Sequence, residues 1–261
     1  MDLRDKVVVI TGASMGIGEA LARAFVQAGS IVVMTSRDLA RVEAARQRVG
    51  MQSTLALACD VRSRTDLQRT ADEVAARYGH LDVWVNNAGF GLLDSIEKAS
   101  VEATRDLFAT NLIAPIEAIQ VVSAIMRKQR SGTIVNISSV AGHVALPYMG
   151  VYSASKHALN VVSKAARAEL HGSGIHILNV APGFVSTDFG KNAVKGADVR
   201  RPDSSFRRGI TAERLARATV KAVERDKREI VVPWTNWAFV YLYRLAPGLV
   251  DVLVSRAMKP V

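Results

Sequence analysis

Short apolar runs alternate along the chain with longer segments in which apolar and polar positions recur at helical spacing. The runs are mostly rich in valine and isoleucine, which is typical of strands buried on both faces of a parallel sheet. Seven strands are predicted in this way, at residues 6–10, 31–35, 54–58, 81–85, 133–137, 175–180 and 229–232. Helices are predicted between them at residues 17–28, 38–49, 63–78, 100–127, 151–171 and 211–225. The alternation predicts an α/β fold with a doubly wound parallel seven-stranded sheet.

The chain has 261 residues and carries no repeat or low-complexity linker, so one hydrophobic core is expected. We predict a single domain, with a Rossmann-type body at residues 1–233 and an apolar helical extension at residues 234–261. Two amphipathic helices are predicted in the extension, near residues 235–245 and 248–258. Arg244 and the Pro247-Gly248 break leave pieces shorter than the roughly 20 residues of a membrane-spanning helix. Their apolar faces fit a subunit interface, the wall of a lipophilic pocket or the surface of a membrane.

Charge, cysteine content and the first residues narrow the class of protein. The formal net charge is +10, but the basic residues are scattered and lack interleaved aromatics, so no nucleic-acid partner is predicted. Cys59 is the only cysteine and no ligand cluster stands out, so neither an internal disulfide nor a metal site is expected. The chain enters its first strand directly, which leaves no room for a signal peptide. We expect a cytoplasmic protein, with peripheral membrane association through the extension as a variant of that expectation.

A glycine-rich turn follows the first predicted strand. In Thr11-Gly-Ala-Ser-Met-Gly-Ile-Gly18 the glycines have the spacing Gly-x-x-x-Gly-x-Gly, and a helix is predicted to begin within the turn. Glycines at such a place let the backbone approach a pyrophosphate and direct the first amides of the helix at it. Glycines are also ordinary turn formers, so the functional interpretation depends on the strand before them and the helix after them.

Tyr152 and Lys156, in Tyr-Ser-Ala-Ser-Lys, lie about one helical turn apart and therefore share a helix face. A fixed cation beside a phenol favours the phenolate and lowers a pKa that is ordinarily about 10. Ser139, thirteen residues before Tyr152, ends a strand-like run, and its hydroxyl can donate to a substrate oxygen. Ser138 is its rival, because a slip of one residue at a strand end turns the side chain to the opposite face. The offset favours Ser139.

These motifs resemble those of the short-chain dehydrogenase/reductase family, in the family's order and spacing, as far as about Asp188. The resemblance is carried by the glycine turn, Asp60-Val61, Asn86-Asn-Ala-Gly89, Asn111, Ser139, Tyr152, Lys156 and Pro182-Gly183. It implies hydride exchange between a nicotinamide dinucleotide and a carbinol or carbonyl carbon. Tyr152 is then the general acid and base, and Ser139 orients the substrate oxygen. Lys156 holds the nicotinamide ribose and biases Tyr152 toward phenolate. Asn111 either holds a water on the proton route or is a buried core residue.

The resemblance also implies a set of cofactor-binding residues, most of which follow strand ends. They are Gly12, Ser14, Met15, Gly16, Ile17, Gly18, Ser36, Arg37, Asp60, Val61, Asn87, Ala88, Gly89, Tyr152, Lys156, Pro182, Gly183, Val185 and Thr187. Asp60 is expected at the adenine amino group with Val61 on the ring, and Thr187 at the nicotinamide carboxamide. Two independent alternatives stay open. In one, Asp60 is the N-cap of the next helix, a role for which Ser63 competes and which is compatible with the adenine contact. In the other, Asn86 and Asn87 are simple turn residues.

The end of the second predicted strand discriminates between the two nicotinamide dinucleotides. An acid there accepts from a ribose 2′-hydroxyl, whereas a base accommodates a 2′-phosphate. Ser36 stands where NAD-preferring relatives carry aspartate, and Arg37 follows it. A guanidinium suits a phosphate, so NADP(H) is the predicted cofactor, with NAD(H) as the alternative. Met15 stands where NADP-preferring relatives often carry another base, and Asp38 competes with Arg37 if the strand ends one residue later.

The remaining expectations concern the substrate and the assembly. Apolar residues near the expected cleft predict a lipophilic substrate, and they are Leu92, Leu93, Val144, Leu146, Tyr148, Met149 and Phe184. Residues 189–208 have weak helical periodicity and many charges, which fits a mobile substrate lid. His143 and His157 are treated as wall or surface residues. The predicted function is the interconversion of a secondary alcohol and a ketone or aldehyde by an NADP(H)-dependent oxidoreductase that forms a homodimer or homotetramer. An NAD-linked alcohol dehydrogenase and a non-catalytic dinucleotide-binding sensor or scaffold are the alternatives.

Overall fold

The computed structural model describes residues 1–196 and 209–257. Its central sheet consists of β1 (Val7–Thr11), β2 (Ile31–Ser36), β3 (Thr54–Ala58), β4 (Val83–Asn86), β5 (Gly132–Ile137), β6 (Ile175–Pro182) and β7 (Glu229–Val232). The strands are parallel and adjacent in the order β7-β6-β5-β4-β1-β2-β3. The predicted doubly wound parallel sheet of seven strands is confirmed.

Ten helices of the described residues surround the sheet and form the tail. They are α1 (Gly16–Gln27), α2 (Leu39–Val49), α3 (Arg64–Tyr78), α4 (Val101–Phe108), α5 (Ala114–Gln129), α6 (Gly150–Glu169), α7 (Phe189–Asn192), α8 (Ala212–Glu224), α9 (Asn236–Leu245) and α10 (Pro247–Ala257). Two short bridges, Leu92–Leu93 with Val194–Lys195 and Val185–Ser186 with Ile210–Thr211, lie apart from the main sheet. The expected lid over residues 189–208 is described only as far as residue 196.

Side chains alternate along each strand, so the sheet has a core on each face. Val8 and Ile10 of β1 belong to the core that α1, α2 and α8 cover, whereas Val7 and Val9 belong to the core of α3, α5 and α6. All four side chains are fully buried. Because both faces are covered, the strands need the continuous apolar content from which they were predicted.

Most predicted elements have bounds that differ from those in the structure by one or two residues, and one predicted helix is interrupted. The helix predicted at residues 100–127 is divided by a five-residue π-helical segment, Ala109–Ile113, between α4 and α5. The strand predicted at residues 81–85 begins at Val83. Its start is displaced because the side chain of Gln129 bonds both the amide and the carbonyl of Leu81, at 3.0 Å each.

Two segments of the described residues are long and apolar enough to cross a membrane. One is the helical stretch Val101–Gln129, and the other is the α9–α10 pair if it is counted as one span, although the helix axis bends by 119° between the two helices. The apolar content of α5 is explained by its position on the sheet, where Ala118, Val122 and Met126 are fully buried in the core. The tail does consist of two helices broken near Pro247, as predicted.

The order of the strands reverses between β1 and β4, since β2 and β3 lie on one side of this pair and β5 to β7 on the other. In open α/β sheets of this kind, ligands bind in the crevice outside the carboxyl ends of the strands at such a switch point. The glycine turn follows β1, residues 87–89 follow β4, Ser139 follows β5, and Gly183 follows β6. The topology therefore places the predicted site residues along one crevice.

Candidate active site

The glycine turn connects β1 to α1 at the carboxyl edge of the sheet. Gly12 and Gly16 have φ angles of +64° and +58°, a region that residues with a Cβ rarely adopt. A Cβ on Gly12 would lie 2.8 Å from the Cα of Ala88, and a Cβ on Gly18 would collide with the carbonyl oxygen of Gly12. Each of the three glycines is therefore required by the shape of this turn.

The N-terminus of α1 fits an anionic group. Met15 is the N-cap with an extended backbone, and no side-chain hydrogen bond caps this end of the helix within the described chain. The first amides of α1 are therefore left for an external acceptor, as in phosphate-binding turns. A Cβ on Gly16 would lie 3.7 Å from the Cβ of Thr187, so the predicted carboxamide ligand adjoins the turn. Ile17 and Val185 pack on the core beneath it.

Thr11 and Asn87 join the glycine turn to the end of β4. The Thr11 hydroxyl accepts from the amides of Asn87 and Ala88 at 3.0 and 3.1 Å. The Asn87 side-chain amide donates to the carbonyl oxygens of Thr11 and Gly12 at 2.8 and 3.1 Å. Asn87 is thus a bridge between two loops, and Asn86 is the buried last residue of β4, so neither is a simple turn residue. The bridging role of Thr11 was not predicted, and its only signal is a hydroxyl at the end of a buried strand.

Asp60 follows β3 but does not cap α3, so that alternative is wrong. Ser63 is the N-cap, because its hydroxyl accepts from the amide of Asp66 at 3.2 Å. The Asp66 carboxylate in turn accepts from the amide of Asp60 at 2.9 Å. The hydrogen bond from Arg62 lowers the pKa of Asp60, and the two side chains are 2.8 Å apart. Asp60 is therefore an anionic acceptor beside Val61, which is compatible with the predicted adenine contact.

Arg37 and the neighbouring Asp38, at the end of β2, differ in their hydrogen bonds and ion pairs. Asp38 is the N-cap of α2, where its carboxylate accepts from the amide of Arg41 at 3.1 Å and pairs with the Arg41 guanidinium at 3.3 Å. The Ser36 hydroxyl accepts from the amide of Asp38 at 3.3 Å. Arg37 is exposed, and no hydrogen bond or ion pair of the described residues engages its guanidinium. Its charge contributes weakly to the lowered pKa of Asp60, so Arg37 lies within electrostatic range of the predicted adenosine site.

Tyr152 lies in the first turn of α6 and is buried in an apolar cluster with Leu92, Leu107 and Ala141. Burial raises the pKa of Tyr152 to about 12, and a hydrogen bond with Ser139 opposes that shift. The sequence predicted a lowered pKa for Tyr152. In the structure this pKa is raised, because burial removes the hydration of the phenolate. The structure brings Ser139 and Tyr152 together at the carboxyl end of β5.

Lys156 is buried one turn after Tyr152 on α6. Its ammonium donates to the carbonyl oxygen of Ile137 at 2.9 Å. A Cβ on Gly89 would lie 3.6 Å from Nζ, so the lysine head borders the loop that follows β4. Burial lowers the pKa of Lys156 to about 8, and no carboxylate of the described residues compensates the charge. The cation is thus held in the crevice, and its contact with the nicotinamide ribose stays a prediction.

Asn111 lies in the π-helical segment and is fully buried. Its amide nitrogen donates to the carbonyl oxygen of Phe90 at 3.0 Å and to the Ser155 hydroxyl at 3.3 Å. Its carbonyl oxygen accepts from the amide of Phe90 at 3.1 Å. These bonds clamp the loop after β4 to the helix that carries Tyr152 and Lys156. The side chain therefore has a structural role, and the predicted water contact stays a prediction.

Ser138 points away from Tyr152 and into a buried polar network. Its hydroxyl donates to the side-chain oxygen of Asn160 at 2.5 Å, and Asn179 donates to the same oxygen at 2.9 Å. Glu229 lies at the end of the network, 3.3 Å from His143. The hydrogen bond from His143 lowers the pKa of Glu229 to about 2. The network holds the loop after β5 in place, and sequence reasoning did not find it because its members are far apart in the chain.

The cleft beside Tyr152 is apolar. Leu146 and Met149 pack on the cluster that contains Tyr152 and Leu92, as the predicted cleft residues should. Phe189, at the start of α7, lies with its ring centroid 5.8 Å from that of Tyr152. Phe189 was assigned only to the lid, and its contact with the predicted catalytic phenol is a finding of the structure. Of the other predicted wall residues, Phe184 is exposed and Val144 packs against the tail.

The end of β6 meets the tail at Gly183. The amide of Gly183 donates to the carbonyl oxygen of Val232 at 2.9 Å. A Cβ on Gly183 would collide with the side-chain amide of Asn236, in the first turn of α9. The Pro182-Gly183 motif is thus fixed by β7 and by the first turn of the tail. No signal in the sequence linked Asn236 to this motif.

A family model described as short chain dehydrogenase matches residues 6–198. The match spans the glycine turn and the Ser139, Tyr152 and Lys156 constellation. The chain belongs to the short-chain dehydrogenase/reductase family. The predicted family is therefore confirmed, and the protein is an oxidoreductase of that family.

Relatives of this short-chain dehydrogenase/reductase match nearly its whole length. "Dehydrogenase/reductase SDR family member 7B" of Danio rerio is 33% identical over 270 residues, covering 99% of this chain and 87% of the relative. "Dehydrogenase/reductase SDR family protein 7-like" of Anopheles gambiae is 30% identical over 268 residues, covering 98% and 84%. A short-chain dehydrogenase/reductase from Burkholderia phymatum, solved in complex with NAD, superposes with a TM-score of 0.86 at 25% identity, covering 95% and 96%. The fold of this chain is thus that of a dinucleotide-binding relative.

Proposed function

We propose that this short-chain dehydrogenase/reductase interconverts a secondary alcohol and a ketone or aldehyde of a lipophilic compound, with NADP(H) as cofactor. The observation that carries the proposal is the contact of Ser139 with Tyr152, one helical turn from the buried cation of Lys156. A protein that only bound a dinucleotide would not need a buried phenol, hydroxyl and ammonium at one end of the crevice. When bound, the cofactor supplies or accepts the hydride at the substrate carbon.

The residues of the chain manage the substrate oxygen and its proton. Ser139 donates a hydrogen bond to the carbonyl oxygen and so orients the substrate beside Tyr152. With a pKa of about 12, Tyr152 keeps its proton at neutral pH and can give it to that oxygen during reduction. Lys156 supplies a positive charge that stabilises the phenolate left behind. The protonated phenol is the form that the reductive direction requires.

Support for NADP(H) comes from the environment of Arg37. Its guanidinium is exposed, lacks a partner among the described residues and lies near Asp60. Asp38, the acid that would favour NAD(H), is already committed to capping α2. A planar guanidinium binds phosphate oxygens in pairs, which suits a 2′-phosphate. Binding of NAD(H) is the second candidate, because the Burkholderia phymatum relative was solved with NAD and because Met15 supplies no second base.

The apolar surroundings of Tyr152 support a lipophilic substrate. Leu92 and Met149 lie in the cluster that buries the phenol, and Phe189 covers its ring. A substrate carbonyl that reaches Tyr152 must pass between these side chains, and an alkyl or aryl group gains free energy there by leaving water. Turnover should therefore rise with the apolar size of the substituents next to the carbonyl.

The test measures NADPH and NADH consumption with ketones and aldehydes graded in chain length. Tyr152→Phe is the blank, and it should bind cofactor but lose turnover by about 1,000-fold or more. Arg37→Ser should raise the KM for NADPH by about tenfold or more and leave the KM for NADH nearly unchanged. Arg41→Ser, which removes a neighbouring exposed arginine that pairs with Asp38, is the matched control. Unchanged turnover in Tyr152→Phe contradicts the assigned chemistry, and equal effects of Arg37→Ser on both cofactors contradict the NADP(H) assignment.

A further inference from the structure

The tail helices α9 and α10 are apolar on two sides. One side packs on the body of the domain, where Trp237 and Val240 join the cluster that contains Val140 and Val144. The other side carries apolar residues at the spacing of one helix face, and we call it the outer tail face. It consists of Tyr241, Leu242, Leu245, Leu249, Val252 and Leu253, all of which are exposed. Exposed large apolar side chains that are grouped in this way mark an interaction site.

The shape of the outer tail face fits a fluid partner. The helix axis bends by 119° between α9 and α10, and Leu245 at the bend is 85% exposed, the highest value for a large apolar side chain in the described chain. Helices of 10 and 11 residues are too short to span a bilayer separately. A protruding apolar bend needs a matching cavity on a rigid partner, whereas lipid chains adapt to it. Short amphipathic helices of this type lie in the membrane interface.

Charge and aromatic content favour an anionic lipid surface over a second copy of the chain. From residue 234 to 257, Asp251 is the only acid, while Arg244 and Arg256 lie in the last turns of α9 and α10. Pairing of this face with the same face of a second copy would bring these bases close to one another, whereas anionic headgroups attract exposed bases. Trp234, which is 76% exposed, and Tyr241 have the amphipathic rings found at headgroup level.

We propose that the outer tail face binds an anionic phospholipid bilayer, with Leu245 and its apolar neighbours in the acyl boundary. This docking is independent of the proposed activity. One consequence does rest on that activity. Because α9 packs against Val144 and Leu146 in the loop after Ser139, a docked molecule holds one wall of its cleft next to the lipid phase. A lipophilic substrate could then enter from the bilayer.

The experiment is flotation of the full-length protein with large unilamellar vesicles. One set is phosphatidylcholine alone, and the other contains about 30% phosphatidylglycerol. The tail variant is Leu245→Gln, Leu249→Gln and Leu253→Gln together, which keeps the net charge. The matched control is Met51→Gln, Ile96→Gln and Val101→Gln, which removes three exposed apolar side chains from elsewhere on the surface. Thermal unfolding verifies that both variants fold, and sedimentation velocity without vesicles reports the size of each.

The wild-type chain and the control should float with the phosphatidylglycerol vesicles, and less with phosphatidylcholine alone. The tail variant should partition onto the vesicles about tenfold more weakly or worse, at unchanged size. A wild-type chain that fails to float overturns the proposal, as does a tail variant that floats like the control. A tail variant that sediments as a smaller species also overturns it, because the face then lies between copies of the chain.

Discussion

Replacing Lys156 by methionine should change the pH dependence of folding stability in a defined direction. Lys156 is buried, and its pKa of about 8 lies below the ordinary lysine pKa of 10.5. Below the lower value both the folded and the unfolded chain carry the charge, and the folded chain bears its full desolvation cost. As pH rises from about 8 to 10.5, the folded chain loses this proton while the unfolded chain still holds it. The desolvation cost of the folded chain is thereby removed. Stability should therefore increase with pH across this window.

The magnitude follows from the separation of the two pKa values. A difference of about 2.5 units corresponds to about 3 kcal/mol, and about 2 kcal/mol of it is recovered between roughly pH 7 and pH 9.5. The wild-type chain should thus gain about 2 kcal/mol relative to Lys156→Met over this interval. Loss of the hydrogen bond to Ile137 affects both ends of the interval equally, so it cancels in the difference. The interval stays below the pI of about 10.0, which keeps the protein soluble.

Urea denaturation of wild type and Lys156→Met, without added cofactor, measures this difference at several pH values. Lys164→Met removes an exposed lysine from the same helix. Its difference from wild type in free energy of unfolding should stay constant with pH. A difference in free energy of unfolding between wild type and Lys156→Met that does not change with pH would refute the reasoning. A difference that changes in the opposite direction would refute the burial of the ammonium itself.

Three further predictions test other parts of the site. Ser138→Ala should cost about 1–2 kcal/mol in urea denaturation with little effect on kcat, because its hydroxyl is buried in the polar network, whereas Ser139→Ala should lower kcat about 100-fold at nearly wild-type stability. The reverse pattern would exchange their roles. Gly18→Ala should cost about 3 kcal/mol and weaken dinucleotide binding in calorimetry, whereas Gly190→Ala, with open space around its Cβ, should do neither. Asn111→Leu should cost about 2–3 kcal/mol in thermal or urea unfolding, since it leaves the backbone of Phe90 unpaired, and an unchanged stability would contradict the clamp.

The sheet and the order of the motifs could be predicted because both depend on local signals. A strand buried on two faces must be apolar throughout, and glycines such as Gly12 mark a backbone that no other residue tolerates. Residues that act at strand ends, such as Ser139, are then placed by the topology of a parallel sheet. These are properties of short segments, so they can be recognised directly in the sequence.

Burial and long-range partners could not be predicted in the same way. The spacing of Tyr152 and Lys156 indicates a shared helix face, but the sign of the phenol's pKa shift depends on how much water the fold removes. The commitment of Asp38 to a helix cap depends on where β2 ends, a boundary that local patterns define poorly. The contact of Asn236 with Gly183 joins residues that are distant in the chain, and no local pattern reports it.

The π-helical segment Ala109–Ile113 also sets the rotational phase of the long helix that it interrupts. A π turn contains one extra residue, so α4 is turned by about 100° relative to the direction an unbroken helix would give it. With this offset Leu107 of α4 packs in the cluster around Tyr152, while Ala118 of α5 packs in the core of the sheet. Deleting one residue from the segment would rotate the α4 wall away from the cleft and leave the sheet covered. The shape of the cleft can therefore change by a single deletion, without any substitution of the residues that line it.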